Sequence, residues 1–90
     1  MYVPADNIVF RRIGDEGVLV PTVGQLAVEG KLFAVNELGA LIWGLLCKGI
    51  EPARIAQEIT ETYNVEQAEA LADLGSFIED LVAAGCLIAS

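Results

Sequence analysis

The sequence predicts an α+β domain in which a small sheet precedes a helical half, and three observations lead there. Residues 1–36 alternate β-branched and aromatic runs with turn signals. At residue 37 the apolar spacing changes to that of a helix, and it keeps the helical period to about residue 84. With 90 residues, 54% of them hydrophobic, the chain supplies one modest core, so it is read as a single domain over residues 1–90.

The elements follow in order. Ile8-Val9-Phe10-Arg11-Arg12-Ile13 reads as a strand, Gly14-Asp15-Glu16-Gly17 as a turn, and Val18-Leu19-Val20 as a second strand ended by Pro21; together they suggest a hairpin. Val23 to Glu29 fits an irregular connection, a short strand or one helical turn. Gly30-Lys31 then turns into Leu32-Phe33-Ala34-Val35, a short apolar strand that runs straight into a helix. In that helix, over residues 37–48, Leu38, Leu41, Ile42, Leu45 and Leu46 share one face. Asn36 is its N-cap, Glu37 puts a carboxylate on the positive end of the dipole, and Gly49 stops it. Pro52 opens a second helix with an apolar stripe of Ile55, Ala56, Ile59 and Tyr63. Asn64 stops it and, three residues before Gln67, is expected to start the next helix through a capping box. The third helix then runs from about 66 to 84 and ends at Gly85, after which Cys86-Leu87-Ile88 either returns to the core or pairs as a short strand.

On a helical wheel, Ala70, Leu81, Leu74, Ile78, Leu71, Val82, Gly75 and Ala68 fill one arc of the third helix, with Phe77 at its edge. That arc covers roughly half the circumference, wider than the ~100° stripe a surface helix needs to reach its core. Either a small domain wraps this helix more completely, or the chain dimerises there, or part of the arc is left for another partner. Charge is just as uneven. Residues 1–36 set Asp6, Asp15, Glu16 and Glu29 against Arg11, Arg12 and Lys31, whereas the rest of the chain sets nine acids against Lys48 and Arg54. Such a surface repels a phosphate backbone, so no nucleic-acid partner is expected.

Little in the sequence supports catalysis. Histidine is absent, which removes the commonest general base and the commonest metal ligand. Cys47 and Cys86 are too few and too far apart for a zinc site and sit in apolar segments, as small core residues do. Gly14, Gly17, Gly24 and Gly30 form no phosphate-binding fingerprint. The adjacent acids Asp15-Glu16 and Glu79-Asp80 read as solvated surface, and Tyr63 and Trp43 as packing residues. No enzyme, no metal and no cofactor are therefore expected. The longest apolar run, Ala40 to Cys47, is well short of the ~20 residues a bilayer requires, and Met1 to Asp6 has neither a basic start nor an apolar stretch; no membrane is expected, and the location read is cytoplasmic.

The ordered set Val35-Asn36-Glu37-Leu38-Gly39-Ala40-Leu41-Ile42-Trp43, Leu45-Leu46, Gly49, Ile55-Ala56, Ile59, Tyr63-Asn64-Val65, Ala72-Asp73-Leu74, Phe77, Leu81 and Gly85-Cys86-Leu87 resembles the coenzyme PQQ synthesis protein D (PqqD) family, also called RiPP recognition elements. The resemblance runs from about residue 8 to 88. Val35 stands for the usual Leu before Asn36, Leu74 for the usual Val after Asp73, Cys86 intrudes between Gly85 and Leu87, and Lys48-Gly49 lacks the frequent Asp-Gly. Each departure keeps the apolar or turn role, so they bear on the subfamily and its client rather than on the fold.

The resemblance implies a winged helix-turn-helix-like fold, a three-stranded antiparallel sheet followed by three helices. It also implies a non-catalytic adaptor. The leader of a ribosomally synthesised precursor peptide would add as a strand beside the third strand and lie against the third helix, to be presented to a radical S-adenosylmethionine or other peptide-modifying enzyme. Lys31, Leu32, Phe33, Ala34 and Val35 are then the strand-side candidates. On the helix, Leu71, Leu74, Gly75 and Ile78 are chosen from the apolar arc, with Gly75 leaving room for a close backbone. Asn36 is most simply a cap and Trp43 a core anchor. The competing readings are a structural or dimerisation module without a peptide client, and a winged-helix transcription regulator, against which the acidic helices argue.

Overall fold

The computed structural model describes residues 2–6, 8–22 and 32–89; the expectations for Val23 to Glu29 and for Lys31 lie outside the described residues. Three strands form an antiparallel sheet in the order β2 (Ile8–Ile13), β3 (Glu16–Pro21), β4 (Phe33–Val35), with β1 (Tyr2–Pro4) outside it. Three helices follow: α1 (Glu37–Cys47), α2 (Pro52–Tyr63) and α3 (Gln67–Ala83). A closing strand, β5 (Leu87–Ala89), pairs antiparallel with β1 in a separate two-stranded ribbon. The fold is thus α+β, with a three-stranded sheet leading into three helices.

The hairpin is tighter than the turn glycines suggest. Ile13 pairs with Glu16, which leaves only Gly14 and Asp15 in the loop. Gly14 alone takes a positive φ, +62°, as the first position of a type II′ turn requires. Along the sheet the two-residue period is plain. Phe10, Leu19 and Phe33 stand in register across the three strands and point inward, with Leu19 completely buried, while Val9, Arg11 and Ala34 are exposed on the other face.

The C-terminal ends of α1 and α3 close in the same way. After α1, the Gly49 N–H donates to Leu46 O and the Ile50 N–H to Leu45 O; after α3, the Gly85 N–H donates to Val82 O and the Cys86 N–H to Leu81 O. This pair of hydrogen bonds around a left-handed glycine, φ +78° and +79°, satisfies carbonyls at the helix end. The second closure drops Cys86 and Leu87 into the core and starts β5. The capping box expected at Asn64 and Gln67 does not form. Asn64 instead adopts the left-handed conformation that ends α2, φ 55°, and Glu66 occupies the N-cap of α3 without a side-chain bond. An asparagine spent on the C-terminal turn is aimed away from the next helix start.

The core joins one face of the sheet to all three helices. Leu19, Leu46, Ile55, Leu74, Leu81 and Cys86 are its largest fully buried side chains, and Trp43, 5% exposed, packs among them. Both cysteines are free thiols, Cys86 buried and Cys47 exposed. Among the described residues no helix is long and apolar enough to cross a membrane.

Candidate functional site

Among the described residues the sheet stops at β4. One edge of this strand pairs with β3 through Val35–Gly17, Ala34–Val18 and Phe33–Leu19, and no described strand pairs with the other. Backbone N–H and C=O groups along a free edge form a template for a further strand. β4 stays short because Asn36 turns the chain at once into α1: its Oδ1 accepts from the Gly39 N–H at 2.8 Å, the N-cap bond read from the sequence.

Beside the free edge opens a groove of about 630 Å³, within the range of ligand-holding clefts. Phe33, Ala34 and Val35 of β4 line it on one side, and Ala70, Asp73, Leu74, Phe77 and Asp80 of α3 on the other. Leu38, Gly39 and Ile42 of α1, with Ile59, Tyr63 and Val65 from α2 and the turn beyond it, complete the lining together with Asn36. The Phe33 and Phe77 rings meet edge to face, centroids 6.3 Å apart at 67°, and brace the strand against α3. Gly39 makes this approach feasible. A Cβ there would stand 2.9 Å from Val35 Cβ and 3.3 Å from Phe77 Cζ, so only glycine lets the first turn of α1 sit this close to both walls.

The groove is apolar with an acidic flank. Asp73 and Asp80 are exposed, and neither makes an ion pair with a described residue. Among its remaining polar groups, Asn36 is already engaged in the cap.

The sequence-predicted residues divide. Phe33, Ala34, Val35 and Leu74 come together in the groove. Leu32 is 57% exposed and precedes the strand, outside the lining. Leu71, Gly75 and Ile78 are not among the residues that line the groove: Ile78 is 5% exposed and packed in the core, Leu71 is 43% exposed, and a Cβ on Gly75 would meet nothing within 4 Å. The reason is rotational. Ala70, Leu74, Ile78 and Leu81 point α3 at the core, and the flank turned toward β4 is the one bearing Asp73, Phe77 and Asp80, opposite Leu71 and Gly75. A wheel gives the arc but not which of its two edges meets the strand. Phe77, set at the edge of the arc, is the sequence signal for the side that lines the groove.

The family model of Coenzyme PQQ synthesis protein D (PqqD) matches residues 16–87. The chain belongs to the PqqD family. That match begins at the first residue of β3 and ends at the first of β5, so every described element lining the groove lies within the PqqD region. Two solved structures share the PqqD-like architecture. TbiB1 in complex with the TbiA(beta) leader peptide is 29% identical, with 97% of this chain and 95% of that chain covered and a TM-score of 0.84. Lasso peptide synthetase B1 complexed with the leader peptide is 25% identical, with 98% of each chain covered and the same TM-score, 0.84. Comparison with curated proteins gives no match.

Proposed function

We propose that this protein is a non-catalytic adaptor that binds the leader of a ribosomally synthesised precursor peptide and presents it to a separate modifying enzyme, of the radical S-adenosylmethionine class or another. The observation that carries the reading is the edge of β4 that no described strand pairs, alongside an apolar groove walled by α3. An extended peptide laid there gains backbone hydrogen bonds from the edge and side-chain pockets from the groove. Membership of the PqqD family and likeness to two proteins solved with leader peptides support it.

In this reading Phe33, Ala34 and Val35, with Leu32 ahead of them, form the pairing edge, and Phe77, backed by the buried Leu74, takes the apolar side chains. Leu71, Gly75 and Ile78 support α3 from outside the contact. The acids exposed on α2 and α3, Glu58, Glu61, Glu69, Asp73, Glu79 and Asp80, speak against a DNA-reading helix.

The test is an amide-resolved NMR titration of the full chain with the short precursor peptides encoded nearest its gene. Shifts concentrated at Leu32 to Val35 and along α3 are expected. N-methylation of peptide amides should weaken binding at alternate positions only, because every second N–H points to the edge. A folded protein that responds to no neighbouring peptide, or one indifferent to N-methylation, would overturn the reading.

A further inference from the structure

We infer that the peptide this groove takes carries two basic side chains flanking an apolar one, each two residues from it along the strand. The inference rests on the strand-addition reading above and adds a sequence requirement to it. Asp73, Phe77 and Asp80 all line the groove and follow one another on α3 at intervals of four and three residues. At about 1.5 Å per residue the two carboxylates stand about 10 Å apart along the helix, with the phenyl ring between them.

An added strand rises about 3.3 Å per residue and turns every second side chain to the same wall. Residues i and i+4 are then about 13 Å apart, and long, flexible Lys or Arg side chains close the remaining distance to the carboxylates, while residue i+2 meets Phe77. Neither carboxylate is spent on a described cation, and no basic side chain occurs after Arg54, so nothing on α3 competes for them. An acidic segment in the same place would meet like charge twice, so the pair rejects as well as selects.

The experiment uses the full chain and two synthetic twelve-residue peptides on one Thr/Val scaffold, one with Lys-Thr-Leu-Thr-Lys at its centre and the other with Glu-Thr-Leu-Thr-Glu. The Lys peptide should shift the amides of Leu32 to Val35 and of residues 73–80 and bind about tenfold more tightly at low ionic strength, each exposed pair supplying a few-fold. Added salt should narrow that gap. The double variant Asp73→Asn/Asp80→Asn should reduce it to less than about threefold. Equal affinities for the two peptides at β4 overturn the inference and leave strand addition standing. Shifts with neither peptide overturn the inference as well, and the titration with neighbouring precursors then decides the wider reading on its own. If the double variant loses its native spectrum, the single variants Asp73→Asn and Asp80→Asn carry the test, each expected to narrow the Lys-against-Glu gap by a few-fold and, if neither does, overturning the inference.

Discussion

Gly39→Ala and Gly75→Ala are the same chemical change in two helices, and the structure gives them opposite signs. Replacing a helix-interior glycine by alanine ordinarily gains about 1 kcal/mol by removing backbone freedom from the unfolded chain. At Gly75 the new methyl group meets nothing within 4 Å, so that gain should appear almost in full. At Gly39 the methyl would lie 2.9 Å from Val35 Cβ, 3.3 Å from Phe77 Cζ and 3.4 Å from Asn36 Oδ1. The ring can yield by a few tenths of an ångström, but Val35 Cβ is rooted in the backbone of β4 and cannot swing aside. Overpacking of this kind costs about 1–3 kcal/mol, and Gly39 sits in the first helical turn where the propensity gain is smallest, so a net loss of about 1–2 kcal/mol is expected. Urea unfolding followed by Trp43 fluorescence should show the two midpoints moving in opposite directions at constant m-value. In a domain of this size each kcal/mol corresponds to about 4–8 °C in Tm. Because the clash pushes β4 from α3, Gly39→Ala should also weaken peptide binding, whereas Gly75→Ala, off the groove, should leave it unchanged. A Gly39→Ala protein as stable as the parent, or a destabilised Gly75→Ala protein, would refute the packing argument.

Two further predictions concern stability. Asn36→Ala removes the bond to the Gly39 N–H and should cost about 1 kcal/mol, while peptide affinity in the folded variant changes by less than tenfold; a larger loss would make Asn36 a ligand contact rather than a cap. Burial pushes the Cys86 thiol above its ordinary value of 9.0. A raised folded pKa means that the contribution of Cys86 is fully present below that value and is lost as pH rises above it, since the unfolded chain ionises first. Between about pH 8 and 10 the parent should therefore lose stability more steeply than Cys86→Ala, and parallel curves would count against it. At neutral pH a thiol reagent should label Cys47 and spare Cys86 until the protein unfolds.

Much of the fold was legible in the sequence because its signals are local. The cap at Asn36, the stops at Gly49 and Gly85 and the stripe of α2 each depend on residues within one or two turns, whereas the buried face of α1 is Gly39, Ala40, Ile42, Trp43 and Leu46, with Leu38, Leu41 and Leu45 of the expected stripe only partly buried. The β1–β5 ribbon was not legible as a pair. Tyr2–Pro4 is too short to show a period, and its partner lies at the other end of the chain, so the pairing depends on the core bringing the termini together. Asn64 illustrates a different failure: the same residue type serves a helix stop and a helix start, and spacing alone favoured the wrong one. The groove divided along the same line. Its strand side followed from sequence order, whereas its helix side needed the rotation of α3, which is set by which residues the sheet and α2 bury together.

A free edge strand is a hazard as well as a site, since β4 could pair with the β4 of a second copy. Three residues of edge give such a pairing few hydrogen bonds. The groove adds an obstacle: antiparallel pairing would bring two α3 flanks, each bearing Asp73 and Asp80, toward one another across a narrow gap, in molecules of net charge −8. Like charges so placed repel, and salt screens them over about 8–10 Å. The carboxylates that favour a cationic peptide thus also discourage self-pairing, which is how one sequence feature separates client from copy. Sedimentation measurements should find less self-association for the parent at low salt than at high salt, and Asp73→Asn/Asp80→Asn should associate more than the parent at low salt. Identical association for parent and double variant at every salt concentration would show that the short edge alone keeps the copies apart.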